Sequence, residues 1–165
     1  SSRTFFRPTS SPITTAGMTA TLIDTNVWLA ISFQAHPSHA LARQAFQDIR
    51  GSDHWLWCRA TQQSYLRLMA TPALHRAYGS PALSNRDARA SLEILLDHPR
   101  ILVADEPADV SNLWLQLADH HRPAPRLWMN AYLAAVAIQG GWRLLSLDRD
   151  FERFCNAGLQ LTPLN

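Results

Sequence analysis

The order of apolar segments predicts an α/β fold in which a central, mostly parallel sheet of four to five strands is covered by helices on both faces. Three observations carry this expectation. Short apolar runs of strand length alternate with longer segments of helical period. One segment, Trp128 to Ile138, is apolar around nearly its whole circumference and has to lie inside the protein. Asp24 and Asp148 each stand directly after a strand candidate, where open parallel sheets bind their ligands.

Thr19 to Ile23 reads as the first strand and stops at Asp24-Thr25-Asn26, residues that favour helix N-caps. Val27 to Phe33 continues as an apolar turn or helix. Pro37-Ser38-His39 then opens a helix with Ala40, Leu41, Ala45, Phe46 and Ile49 at helical spacing, ended by Gly51. Trp55 to Cys58 is the second strand, and Thr61 to Met69 a helix that Thr71-Pro72 stops. Ser84 caps a helix through Leu96 with Ala88, Leu92 and Leu95 on one face, and Arg100 to Val103 is the third strand. Pro107 suits the first position of the next helix, whose buried stripe is Val110, Leu113, Trp114 and Leu117. His120 to Arg126 reads as a loop, and Gly140-Gly141 ends the apolar helix that follows it. Trp142 to Leu147 gives a fourth strand, Asp148 to Phe151 a short helix, and Gly158 to Leu161 a final strand.

At 165 residues and 47% hydrophobic content, the chain matches one domain with a sizeable core. That domain is expected over residues 18–165, with 1–17 a disordered upstream extension, since Met18 begins the patterned sequence. Charged or proline residues interrupt every apolar run, so a membrane-spanning helix is not expected. Cys58 and Cys155 are too few for a disulfide framework and read as buried thiols of a cytoplasmic protein. The basic side chains other than histidine are all arginine, and a net charge of +2 does not by itself imply a nucleic-acid partner. His36, His39, His120 and His121 lack a His-Glu-x-x-His arrangement and read as surface residues near loops. The tryptophans at 55, 57, 114, 128 and 142 read as core or dimer-interface residues.

Four blocks then fall in order on these elements: Leu22-Ile23-Asp24-Thr25-Asn26, Thr61 to Arg67, Asn130-Ala131-Tyr132-Leu133-Ala134-Ala135, and Leu144 to Phe151. Together they resemble a PIN domain, in particular that of VapC toxins, over Met18 to the C-terminus. The resemblance implies a PIN-like three-layer α/β/α fold and a ribonuclease that uses Mg²⁺ or Mn²⁺, hard ions suited to oxygen ligands. It implies Asp24, Asn130 and Asp148 as metal-site residues, with Asn26 hydrogen-bonding nearby and Ser146 in the family's hydroxyl position. Asp150 either joins this catalytic set or caps the helix carrying Phe151 and Phe154. An RNA substrate, a VapB-type antitoxin and a homodimer are implied as partners. Arg59, Arg67, Arg126 and Arg149 flank the blocks as candidate phosphate contacts.

The sequence also departs from the family. Asn130 stands where the pattern has Asp, and an amide oxygen brings no charge and cannot act as a base. The family's glutamate on the helix after the second strand is replaced by Gln62, Gln63 or Ser64, the register leaving the three open. These departures imply either a weakened nuclease or a non-catalytic PIN fold that binds RNA or protein. A phosphoacceptor domain built on Asp24 fits poorly, because the chain has no lysine to contact the phosphoryl group.

Overall fold

In the computed structural model, which describes residues 19–164, five parallel strands form one sheet in the order β3-β2-β1-β4-β5. The strands are β1 (Ala20–Ile23), β2 (His54–Trp57), β3 (Ile101–Val103), β4 (Arg143–Ser146) and β5 (Gln160–Pro163). The expectation of a parallel sheet with helices on both faces holds, while the expected extension 1–17 lies outside the described residues.

Register explains why the central strands are largely apolar on both sides. Leu102, Leu56, Leu22, Leu144 and Leu161 are paired neighbours across the five strands, a single row of leucines on one face. The residues one step along, Val103, Trp57, Ile23 and Leu145, turn to the other face, because side chains alternate along a strand. Both faces of the central strands are covered, and alternation with polar residues is confined to the edge strand β5, where Gln160 and Thr162 flank Leu161.

The leucine face carries α6 (Val110–Leu117), α7 (Leu127–Gly140) and a 3₁₀ helix (Arg149–Ala157). In α7 the run Leu133 to Ala137 is buried without interruption, as the apolar circumference requires. Its end is set sterically: a Cβ on Gly140 would collide with the Trp142 ring, and Gly141 takes the left-handed conformation, φ 67°.

The opposite face carries α1 (Thr25–Ser32), α2 (His39–Gln47), α3 (Arg59–Met69), α4 (Pro72–Ala77) and α5 (Asn85–Leu96). Trp28 and Trp57 stack there at 3.9 Å, with Trp55 edge-on to Trp28 at 5.6 Å. Ser84 caps α5 in a reciprocal bond with Asp87.

Four expectations need correction. Thr71-Pro72 ends α3 but also starts α4, with Pro72 in the first turn. Pro107 lies in the loop, and α6 begins only at Val110, after Asp109 in a left-handed conformation, φ 62°. Leu41 is 47% exposed, and Ala42 is the buried residue of α2 that completes the inward stripe with Ala45, Phe46 and Ile49. Cys155 is exposed, whereas Cys58 is buried as expected. Of the tryptophans expected in the core or a dimer interface, Trp55, Trp57 and Trp142 belong to the core and Trp128 is 52% exposed on the single chain.

Candidate metal and nuclease site

Strand order reverses between β1 and β4: the chain builds outward from β1 to β3, then crosses back to add β4 and β5 on the other side. Such a switch point opens a crevice beyond the carboxyl ends of the two strands. Asp24 follows β1 and Asp148 lies two residues after β4, so both carboxylates stand at this crevice.

Their geometry is fixed by N-capping. Asp24 is the N-cap of α1, and its Oδ1 accepts from Thr25 N–H at 2.7 Å. Asp148 is the N-cap of the 3₁₀ helix, and its Oδ1 accepts from Asp150 N–H at 2.8 Å. Between them sits Ser146, whose hydroxyl donates to Asp24 Oδ2 at 2.7 Å and accepts from Asp148 N–H at 2.9 Å. Asn26 closes the network. Its Nδ2 donates to Ser146 Oγ at 3.4 Å, and its Oδ1 accepts from Leu147 N–H at 3.3 Å. The β1 and β4 ends are therefore clamped through side chains as well as through Asp24 N–H to Leu145 O, 3.0 Å.

Burial is the main force on Asp24 and pushes its carboxyl above the ordinary carboxylate range. The hydrogen bonds from Ser146 and Thr25 pull it back, and the nearby Asp148 charge raises it further. The two carboxylates are thus held together against desolvation and mutual repulsion, an arrangement suited to a cation.

Asn130 reaches the same edge by another route. It lies eleven residues before the helix-ending Gly141, about 16 Å at 1.5 Å per residue. From Arg143 to Asp148 the chain rises about 17 Å in extended form. Since α7 leads directly into β4 and packs against it, Asn130, half-buried in the first turn of α7, lies toward the carboxyl end of the sheet. Its backbone N–H bonds to Arg126 O at 3.4 Å.

On α3 the structure turns Gln62 inward, Gln63 outward, and leaves Ser64 half-buried. Gln62 Oε1 accepts from Arg59 Nη1 at 2.8 Å. The oxygen that would coordinate a cation therefore faces a guanidinium, which argues against Gln62 as a ligand. Asp150 is exposed and orients Asp148 through its backbone. Arg59, Arg67, Arg126 and Arg149 are all exposed.

Sequence reasoning missed Glu106. It follows β3 in the run Asp105-Glu106, and its Oε1 accepts from the Tyr132 hydroxyl at 2.7 Å, tying the third strand end to α7. Burial, and then the bond to Glu106, push the Tyr132 hydroxyl above its ordinary value. The strand-end rule that singled out Asp24 would have found this residue. Among the described residues, no group of three or more His, Cys, Asp and Glu side chains is placed to hold a metal ion.

A profile of the PIN domain family matches residues 21–157. Ribonuclease VapC41 of Mycobacterium tuberculosis (strain CDC 1551 / Oshkosh) is 41% identical over 141 residues, which cover 85% of this chain and 97% of that protein. Ribonuclease VapC25 of Mycobacterium tuberculosis (strain ATCC 25618 / H37Rv) is 30% identical over 141 residues, 82% of this chain and 93% of the relative. Among solved structures, VapBC2 from Rickettsia felis bound to a DNA fragment from their promoter superposes with TM-score 0.64 at 13% identity, over 88% of this chain and 99% of its counterpart. Mycobacterium tuberculosis VapC20, described as a sarcin-ricin loop cleaving toxin, gives TM-score 0.57 at 21% identity, over 84% and 95%.

Proposed function

The chain belongs to the PIN domain family, and from that premise we propose that it is a metal-dependent endoribonuclease acting as the toxin of a type II toxin–antitoxin system. The observation that carries this reading is the Asp24–Ser146–Asp148 network at the strand switch point. The ribonuclease relatives supply the substrate class, RNA.

The donors fit a hard divalent cation. Each Asp24 oxygen accepts one hydrogen bond and keeps lone-pair capacity, and Asp148 Oδ2 adds a second carboxylate. One or two carboxylates completed by water is the usual way a protein holds Mg²⁺. Asp24 and Asp148 would hold the ion, with the Asn130 amide oxygen as a neutral third donor and exposed Asp150 on the acidic rim. When bound, Mg²⁺ or Mn²⁺ supplies an activated water and neutralises charge on the scissile phosphate. The chain's own contribution is positioning. Ser146 fixes the Asp24 carboxylate, Asp150 N–H fixes that of Asp148, and Asn26 keeps the two strand ends at constant separation.

A VapB-type antitoxin partner, a homodimer and a cytoplasmic location belong to the same reading. Among the described residues no helix is long and apolar enough to cross a membrane. Cleavage of RNA by the purified chain with Mn²⁺ or Mg²⁺, abolished by EDTA and by Asp24→Asn, is the expected result; cleavage that persists in EDTA or in the Asp24→Asn variant would sink the proposal.

A second reading is a non-catalytic PIN fold that binds RNA or protein. It is favoured by the absence of a cluster of three acidic or imidazole ligands among the described residues, and RNA binding without cleavage would select it.

A further inference from the structure

The loop between α6 and α7 lies at the same edge of the molecule as the carboxylates. Helices α6 and α7 run antiparallel: Gln139 Nε2 donates to Asp109 O at 3.4 Å at one end, and Trp114 Nε1 donates to Trp128 O at 2.8 Å toward the other. Since α7 starts at the carboxyl edge of the sheet, the loop joining it to α6 is at that edge too. Arg126 O accepts from Asn130 N–H, so the loop ends one helical turn from a candidate site residue.

The segment His120-His121-Arg122-Pro123-Ala124-Pro125-Arg126 contains no acidic residue. His120 and His121 are exposed, yet their rings lie face to face, with centroids 5.0 Å apart and planes 13° from parallel. His120 Nδ1 is 3.1 Å from both the backbone nitrogen and oxygen of Arg122, and two prolines restrict the chain beyond it. Arg122 and Arg126 are exposed on the same short, stiffened segment. An exposed imidazole stack buries little apolar surface and adds little to the core. A flat π-face beside two guanidinium groups is the chemistry that holds an unpaired nucleobase and its flanking phosphates.

We propose that this loop is a single-stranded RNA subsite of the nuclease cleft, with the His120–His121 stack as a shelf for one unpaired base and Arg122 and Arg126 as contacts to neighbouring phosphates. The inference rests on the ribonuclease reading and adds to it the element that receives the strand. Its ligand is RNA whose bases are free to unstack.

The test is equilibrium binding, independent of cleavage. Fluorescence anisotropy in EDTA measures the intact chain against a labelled mixed-sequence 12-nucleotide single-stranded RNA and against an abasic ribose-phosphate strand of equal length. The His120→Ala/His121→Ala variant should lose about 10-fold in affinity for the RNA and be unchanged on the abasic strand, with His121→Tyr largely retaining RNA affinity. Arg122→Gln/Arg126→Gln should weaken both strands and reduce the salt slope by about 1.4, at roughly 0.7 per phosphate contact. An unchanged RNA affinity in the double alanine variant, or an equal loss on both strands, overturns the subsite while leaving the ribonuclease reading intact. Failure of the unaltered chain to bind either strand overturns both.

Discussion

Strands β1 and β4 carry polar residues at both ends, and the two ends treat charge in opposite ways. At the amino end, Thr21, Asp53 and Arg143 line a cleft of about 270 Å³ together with Asp48, Trp55 and Thr162. There Arg143 Nη2 lies 3.4 Å from Asp53 Oδ1, so opposite charges neutralise each other in a partly exposed pair. At the carboxyl end, burial strains the Asp24 carboxylate, and the like charge of Asp148 adds to that strain. Ordinary stability favours the first arrangement. The second costs stability in the metal-free chain, and such costs concentrate at functional sites.

The largest expected effect follows directly. Asp24→Asn should lower metal-dependent RNA cleavage by at least about 100-fold, in the range seen when a charge-stabilising group is removed from a site, whereas Asp53→Asn at the other end should leave it unchanged. Equal losses from the two variants would erase the contrast between the ends.

Asn130→Asp adds a third negative donor toward the carboxyl end of the sheet and should tighten Mn²⁺ binding by at least about 10-fold, since each added anionic ligand is strongly attracted to a divalent ion in a partly desolvated site. The same change should lower metal-free stability. Calorimetric titration beside a thermal melt measures both, and unchanged affinity would remove position 130 from the site.

Ser146→Ala removes the hydroxyl shared by Asp24 and Asp148 and leaves Asp148 N–H without its acceptor. A loss of about 1–3 kcal/mol is expected from the orphaned groups. Because the Ser146 bond pulls the Asp24 pKa down, its loss should move the acid limb of Mn²⁺ binding to higher pH. A limb that stays in place would mean that Ser146 does not tune Asp24.

The smallest effect is on metal-free stability. The raised pKa of Asp24 means that the folded chain holds this proton more tightly than the unfolded chain. Its contribution to stability is therefore greatest below the ordinary carboxylate range and declines as pH rises through the folded value. Asp24→Asn should flatten that decline and raise the neutral-pH melting point, measured by thermal melts across pH. Asp53→Asn, which breaks a partly exposed ion pair, should lower it by at most about 1 kcal/mol.

Features that depend on local pattern were legible in the chain before any fold was known. Apolar runs placed five strands within a residue or two, Ser84 announced the cap of α5, and the strand-end positions of Asp24 and Asp148 marked the crevice before any contact was known. Leu22 and Leu144 had to be buried on any parallel sheet, whatever their neighbours. Tertiary structure alone decided the rest, because those outcomes depend on residues distant in the chain. Ser146 became the hub between two carboxylates only once β1 and β4, whose paired residues are 122 positions apart, came together. Gln62 turned inward and spent its oxygen on Arg59, which no register argument could choose over Gln63 or Ser64. Leu41 and Trp128 matched helical stripes in sequence, but a stripe fixes only that a helix has an apolar face; which residues at its margin meet solvent is set by how that helix is rotated against its neighbours.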